Sequence, residues 1–95
     1  MTGISGSIIS EIINSGDAPI SANKLSKKYC VSDHLIRKVI NHARSEGQPI
    51  CSSNRGYYYS TKQEDIKKTI DSLEHRIVAM RSAVAGLSKC VGGAE

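Results

Sequence analysis

Residues 21 to 60 constrain the fold of this chain more than any other stretch. In order, SANKLSKKYCVSDHLIRKVINHARSEG and QPICSSNRGYYYS give two short helices, a tight turn and then a β-hairpin. Ser21 is placed to cap a helix over Ala22 to about Tyr29, and Cys30-Val31 makes the turn. Ser32 caps a third helix over about Asp33 to Glu46, which Gly47 stops. Pro49-Ile50-Cys51-Ser52 and Tyr57-Tyr58-Tyr59-Ser60 are the strands, joined by Ser53-Asn54-Arg55-Gly56, residues that tolerate turn geometry. Ahead of this unit, Ile4, Ile8, Ile9, Ile12 and Ile13 recur at three- and four-residue steps, an amphipathic helix ending near Ser15-Gly16. Pro19 disfavours helix at Ala18, so Asp17-Ala18-Pro19-Ile20 leads into a short extended stretch.

On a helical wheel of about 100° per residue, Leu35, Ile36, Val39, Ile40 and Ala43 share one side of the third helix. His34, Arg37, Lys38, Asn41, Arg44 and Ser45 share the other, a polar and basic face with donors suited to phosphates and base edges. The charge excess of the chain sits in the same region. Residues 21 to 47 hold six Lys/Arg (Lys24, Lys27, Lys28, Arg37, Lys38, Arg44) against two acids (Asp33, Glu46), a balance of +4, and the rest holds seven of each. Such a concentration is an electrostatic footprint for nucleic acid.

After the hairpin, Thr61-Lys62-Gln63-Glu64 matches a Thr-x-x-Glu capping box. It opens a last helix of about 28 residues, roughly 42 Å at about 1.5 Å per residue. Ile66, Ile70, Leu73, Ile77, Met80, Val84 and Leu87 follow a 4-3-4-3-4-3 spacing, a heptad seam suited to a helix partner. With Ile70, Ile77 and Val84 at a, Glu74 and Arg81 fall at e and Arg76 at g. A parallel dimer sets Arg76 against Arg81, a small repulsion. An antiparallel dimer with Ile77 near the partner's Met80 sets Glu74 against Arg81, so the reading leans antiparallel. The competing expectation is that the helix folds back on the first helix of its own chain. The domain plan is therefore residues 1–60 for the compact unit, 61–91 for the C-terminal helix and 92–95 for a flexible tail.

The chain has 95 residues, no Phe and no Trp, and its four aromatics are all Tyr, so the core must be drawn from Ile, Leu and Val. A domain this small buries only about 60% of its unfolded surface, leaving little room for a cofactor pocket. No apolar run approaches the roughly 20 residues of a membrane span. The N-terminus also lacks the pattern of a signal peptide, so a cytoplasmic protein is expected. Cys30, Cys51 and Cys90 are odd in number and widely spaced, which fits neither a disulfide framework nor a zinc site. Small buried thiols are expected, with Cys90 the most exposed. His34, His42 and His75 lack metal-ligand spacing, and no nucleophile and base pair, phosphate loop or enclosed carboxylates are apparent. Neither an enzyme nor a cofactor, membrane or small-molecule partner is expected. Strand alternation sends Tyr58 opposite Tyr57 and Tyr59, so at least one ring should face solvent while others seal the core.

Several local signatures resemble the winged helix-turn-helix domain at the N-terminus of biotin-repressor-type regulators. Ile20-Ser21, Leu25-Ser26, Val31-Ser32, Ile36-Arg37, Ile40, Gly47, Ile50 and Gly56-Tyr57 fall where that family has its core, turn, recognition-helix and wing positions. The whole chain, with Ser53-x-x-Gly56-Tyr57-Tyr58 and a tail carrying Ile70, Leu73, Arg76 and Gly86-Leu87, resembles small winged-helix proteins of phage and prophage genomes. Asp33 stands where the family often has a basic residue, and Arg55 is the only charge on the wing.

The resemblance implies a mainly α fold with a small β-wing, a winged helix-turn-helix followed by a long C-terminal coiled-coil helix. It implies a dimeric protein that binds double-stranded DNA, a small transcriptional regulator or DNA-processing accessory. The alternative is a protein-interaction module that no longer reads DNA. In the DNA reading Arg37, Lys38 and Asn41 enter the major groove, Asn41 pairing with adenine and Arg37 with guanine or phosphate. Ser32, His34 and Arg44 flank them, while Lys24, Lys27, Lys28, Asn54 and Arg55 position the protein on phosphates. With an acid at Asp33 and a thin wing, modest affinity per monomer is expected.

Overall fold

The computed structural model describes residues 3–92. Its elements are α1 (Ile4–Ser15), α2 (Ala22–Tyr29), α3 (Asp33–Ser45), β1 (Ile50–Ser53), β2 (Gly56–Tyr59) and α4 (Gln63–Gly92). The chain is thus mainly helical, with one small antiparallel sheet and a long C-terminal helix. Gly92 ends α4, and residues 93–95, most of the expected flexible tail, lie outside the described residues.

The three short helices wrap an aliphatic core of Ile8, Ile12, Ile20, Leu25, Ile36, Val39, Ile40, Ala43 and Ile50. Each fully buried Ile or Leu contributes about 1.5–3 kcal/mol through the apolar surface it removes from water. From α1, Ile8 and Ile12 are fully buried, while Ile4, one turn earlier, is 47% exposed. Both predicted caps form. Ser21 Oγ accepts from the Lys24 N–H at 3.1 Å, and Ser32 Oγ accepts from the Leu35 N–H at 3.1 Å. Leu35 itself lies at the edge of the α3 apolar stripe and is exposed, not in the core as the wheel suggests.

Cys30 is also corrected. It ends α2 in the left-handed conformation, φ 55° and ψ 46°, and its N–H returns to the Ser26 carbonyl. That geometry turns the thiol outward, so Cys30 is exposed along with Cys90, and only Cys51 is a buried thiol.

The strands keep the expected register but end one residue nearer the turn: β1 and β2 pair as Ile50↔Tyr59, Cys51↔Tyr58, Ser52↔Tyr57 and Ser53↔Gly56. Only Asn54 and Arg55 form the turn, and the positive φ falls on Gly56 at 135°. A two-stranded hairpin has two open edges, and here both are covered. On the β2 side Ile20 exchanges two hydrogen bonds with Tyr57, each 2.8 Å, and the Tyr59 N–H reaches the Gly16 carbonyl at 2.9 Å. On the β1 side the Ser52 N–H donates to Thr69 Oγ1 of α4 at 3.2 Å, and the Ile50 carbonyl accepts from Arg44 Nε at 2.7 Å. Tyr57, Tyr58 and Tyr59 are all half-buried in this arrangement, so no ring is fully exposed.

Entry into α4 differs from the capping-box expectation. The helix starts at Gln63, and the Lys62 carbonyl accepts from the Ile66 N–H at 3.1 Å. Ser60 Oγ, not Thr61, sits under the first turn, accepting from the Lys62 N–H at 3.2 Å and donating to Asp65 Oδ2 at 2.7 Å. Ser60 is held there because its own N–H is bonded to the Pro49 carbonyl at 3.2 Å.

The first three turns of α4 pack on β1, not along α1. Ile66 and Leu73, expected in an intermolecular seam, are half-buried, and with Thr69 and Ile70 they border Pro49, Ile50 and Cys51. From residue 74 to 91 every position is exposed, including Ile77, Val78, Met80, Val84, Leu87 and Val91. The projecting helix stretches the molecule to 54 × 32 × 23 Å. Among the described residues no helix is long and apolar enough to cross a membrane.

Candidate nucleic-acid interface

The polar side of α3 divides into two rows because residues three and four apart stack on successive turns. Arg37, Asn41 and Arg44 form the row toward the hairpin and border one cleft with it and α4. His34 and Lys38 belong to the other row; both are exposed and neither borders the cleft. Ser32 is committed to capping the helix that carries them.

Arg44 departs most from expectation. It is half-buried between α3 and the hairpin instead of standing on the exposed face. The Ile50 carbonyl points away from β2 and needs a donor, which Arg44 Nε supplies at 2.7 Å. The guanidinium carbon also lies 5.7 Å from the centre of the Tyr57 ring, a cation–π distance. Nη2 of the same group is buried with no hydrogen-bond partner among the described residues. Burial holds the Arg44 pKa below its ordinary value, and the positive charge of Arg76 pulls the same way. Arginine starts so far above neutral that the group stays charged.

The cleft measures about 520 Å³ and lies between α3, the hairpin and α4. Four arginines line it, Arg37 and Arg44 from α3, Arg55 from the hairpin tip and Arg76 from α4, together with Asn41 and Tyr57. Asn54 borders it at the tip. No Asp or Glu lines it, and none of the four arginines forms an ion pair among the described residues. A concave wall of one sign concentrates its field on whatever enters.

The lysines of α2 are placed elsewhere. Lys24 and Lys28 border a separate depression beside α1. Lys28 Nζ is 3.0 Å from Glu11 Oε1, so its charge is already answered. Tyr29 donates to the same carboxylate oxygen at 2.7 Å. The Tyr29 hydrogen bond, then Lys28, hold the Glu11 pKa below its ordinary value. Lys27 is exposed in the last turn of α2.

Arg76 was read from the sequence as a g position of the coiled coil and as part of the tail pattern, not as a site residue. Its place in the cleft depends on the rotation of α4, set by Thr69 on Ser52 and by Ile66 and Leu73 on the hairpin, and no local pattern announces that. Val91 extends the heptad spacing by one further step and lies within α4. Among the described residues, no three His, Cys, Asp or Glu side chains gather as a metal-binding group. Comparisons with protein-family profiles, with curated proteins and with solved structures found no match to this chain.

Proposed function

We propose that the chain is a dimeric DNA-binding protein of the winged-helix type, with α3 as the recognition helix in the major groove and the β-hairpin as the wing. The observation that carries this reading is the acid-free cleft between α3 and the hairpin, where Arg37, Asn41, Arg44 and Arg55 converge. Asn41 matches the donor and acceptor pair of adenine, and Arg37 that of guanine or a phosphate, each good base contact being worth about 1–3 kcal/mol of discrimination. Lys38 and His34 flank these on the open side of the helix. Lys28 is withdrawn from the phosphate contacts by its pairing with Glu11. A small cytoplasmic regulator or DNA-processing accessory, of the kind phages and prophages encode, is the setting this reading implies.

The test is fluorescence anisotropy of labelled duplex DNA at several salt concentrations, comparing wild type with the triple variant Arg37→Ala, Lys38→Ala, Asn41→Ala. Micromolar or tighter binding that weakens with salt and is largely lost in the variant is expected. Equal binding by both proteins refutes it.

Dimerisation rests on the apolar stripe of the projecting helix, where Ile77, Met80, Val84, Leu87 and Val91 recur at heptad steps and are 46% to 76% exposed. This is the segment free to pair. A register that sets Ile77 against Met80 would also call on Ile66 and Leu73, which the hairpin half-covers. Ile77→Lys with Val84→Lys therefore probes the seam without disturbing the domain. Sedimentation at tens of micromolar should give a dimer for wild type and a folded monomer for the variant; a wild-type monomer sinks the proposal.

A further inference from the structure

We infer that the arginine cleft is a phosphate site to which α4 contributes: Arg76, with Arg37, Arg55 and the fixed charge of Arg44, holds one backbone phosphate of the bound duplex. The inference rests on the DNA-binding reading and adds a contact from outside the recognition helix and the wing.

Three observations carry it. Four arginines from three separate elements meet around one space with no acid among its lining residues. Like charges gathered without a counter-ion repel one another, and an entering anion relieves that repulsion. Arg44, second, cannot swing away to relieve it, because Nε is bonded to the Ile50 carbonyl at 2.7 Å and the guanidinium lies 5.7 Å from the Tyr57 ring centre. A charge fixed in advance costs no reorganisation when an anion arrives. Third, Arg76 is one helical turn beyond Leu73 and seven residues beyond Thr69, the side chain that bonds α4 to the Ser52 N–H. Its backbone is therefore set by the docked part of the helix, while its side chain is exposed and free to reach into the cleft.

The chemistry selects a phosphodiester. Planar guanidinium groups present paired N–H donors that match the two non-bridging oxygens of a phosphate. Arg44 is tethered at the base of the hairpin and cannot extend to a base edge, so the arginine cluster holds backbone while Asn41, beside it, is left to the base edge. A space of about 520 Å³ leaves room for the sugar on either side of a phosphate. The α4 helix is then both a DNA contact at Arg76 and the dimer helix beyond it.

The experiment compares wild type, Arg76→Gln and Lys89→Gln. Lys89 lies on the same exposed helix but neither lines the cleft nor falls on the seam, so its variant removes equal charge without removing the contact. Duplex binding is followed by anisotropy between about 50 and 200 mM salt. Arg76→Gln should weaken binding several-fold and lower the log–log salt slope by about one, the signature of one lost phosphate contact. Lys89→Gln should stay within about twofold of wild type, and all three should give the same thermal melt. Equal binding and slope for Arg76→Gln and Lys89→Gln overturn the site and leave the DNA-binding reading standing.

A second arm titrates inorganic phosphate against chloride at constant ionic strength and follows the arginine Nε–H resonances by NMR. Saturating shifts at Arg44 and Arg76 that vanish at Arg44 in the Arg76→Gln protein support the site. Absence of those shifts in wild type overturns it. Saturating phosphate shifts in a wild type that binds no duplex would instead overturn the DNA occupant, and with it the functional reading, while the cleft remained an oxyanion site.

Discussion

Replacing Gly56 with alanine tests whether the hairpin is held by the close approach of two backbones. A Cβ at this position falls 2.4 Å from both the carbonyl carbon and the oxygen of Ile20 and 2.6 Å from the Ser21 nitrogen. These are backbone atoms, so no side chain can rotate aside. Relief requires moving the extended segment about 1 Å from the hairpin, which breaks the two 2.8 Å hydrogen bonds between Ile20 and Tyr57. Each is worth about 1 kcal/mol net. Holding alanine at φ 135° adds about 1–3 kcal/mol of backbone strain. The total, roughly 3–5 kcal/mol, is a large part of the about 5–15 kcal/mol that stabilises a typical domain. At about 4–8 °C per kcal/mol for a domain of this size, the melting temperature should fall by roughly 12–40 °C. Circular dichroism melts give the shift, and amide exchange at Ile20 and Tyr57 locates it. Gly16→Ala is the control: φ is 62°, but no atom lies within 4 Å of the added Cβ. With ψ at −127° the residue lies outside the left-handed helical well, so alanine should cost about 1–3 kcal/mol of backbone strain and no lost hydrogen bond. A Gly56→Ala protein that melts within a few degrees of wild type, with the Ile20 amide still protected, refutes the reasoning.

Two further outcomes follow from the loops and the first helix. Tyr29→Phe removes the strongest influence on Glu11, so an NMR titration should show the Glu11 pKa rising toward its ordinary 4.5. Because the folded pKa is depressed, the stability it confers is present above 4.5 and lost as pH falls through the folded value, below 4.5. The variant should therefore be about 1 kcal/mol less stable at neutral pH, with the gap narrowing below 4.5. An unmoved Glu11 pKa counts against this. Cys30→Gly relieves a left-handed L residue at φ 55° and should raise stability by up to about 1 kcal/mol in urea melts. A drop would mean that the Cys30 side chain contributes more than its backbone costs.

The order of elements, both Ser caps and the aliphatic stripes of α1 and α3 were legible in the sequence, because each depends on residues within one or two turns of one another. Ser21 and Ser32 cap the next turn, and the 3.6 period of Ile36, Val39, Ile40 and Ala43 chooses a buried face wherever the helix packs. The concentration of Lys and Arg between residues 21 and 47 also marked the region that carries α3's share of the cleft.

What stayed hidden depended on contacts distant in the chain. Arg44 and Arg37 lie on the same polar side of one helix, yet only Arg44 meets a hairpin carbonyl lacking a partner, and that need exists only once β1 and β2 have paired. Lys28 looks like a free cation until α1 brings Glu11 to 3.0 Å. Heptad spacing in α4 cannot say which turns rest on their own domain. The Thr69 bond to Ser52 decides that Ile66 and Leu73 are half-covered and that Arg76 joins the cleft. Local propensity and periodicity therefore determined the helices, the hairpin and the sign of the charge. Tertiary packing decided which of those charges stand free, because a charge is neutralised or left open by partners that only the folded chain brings near.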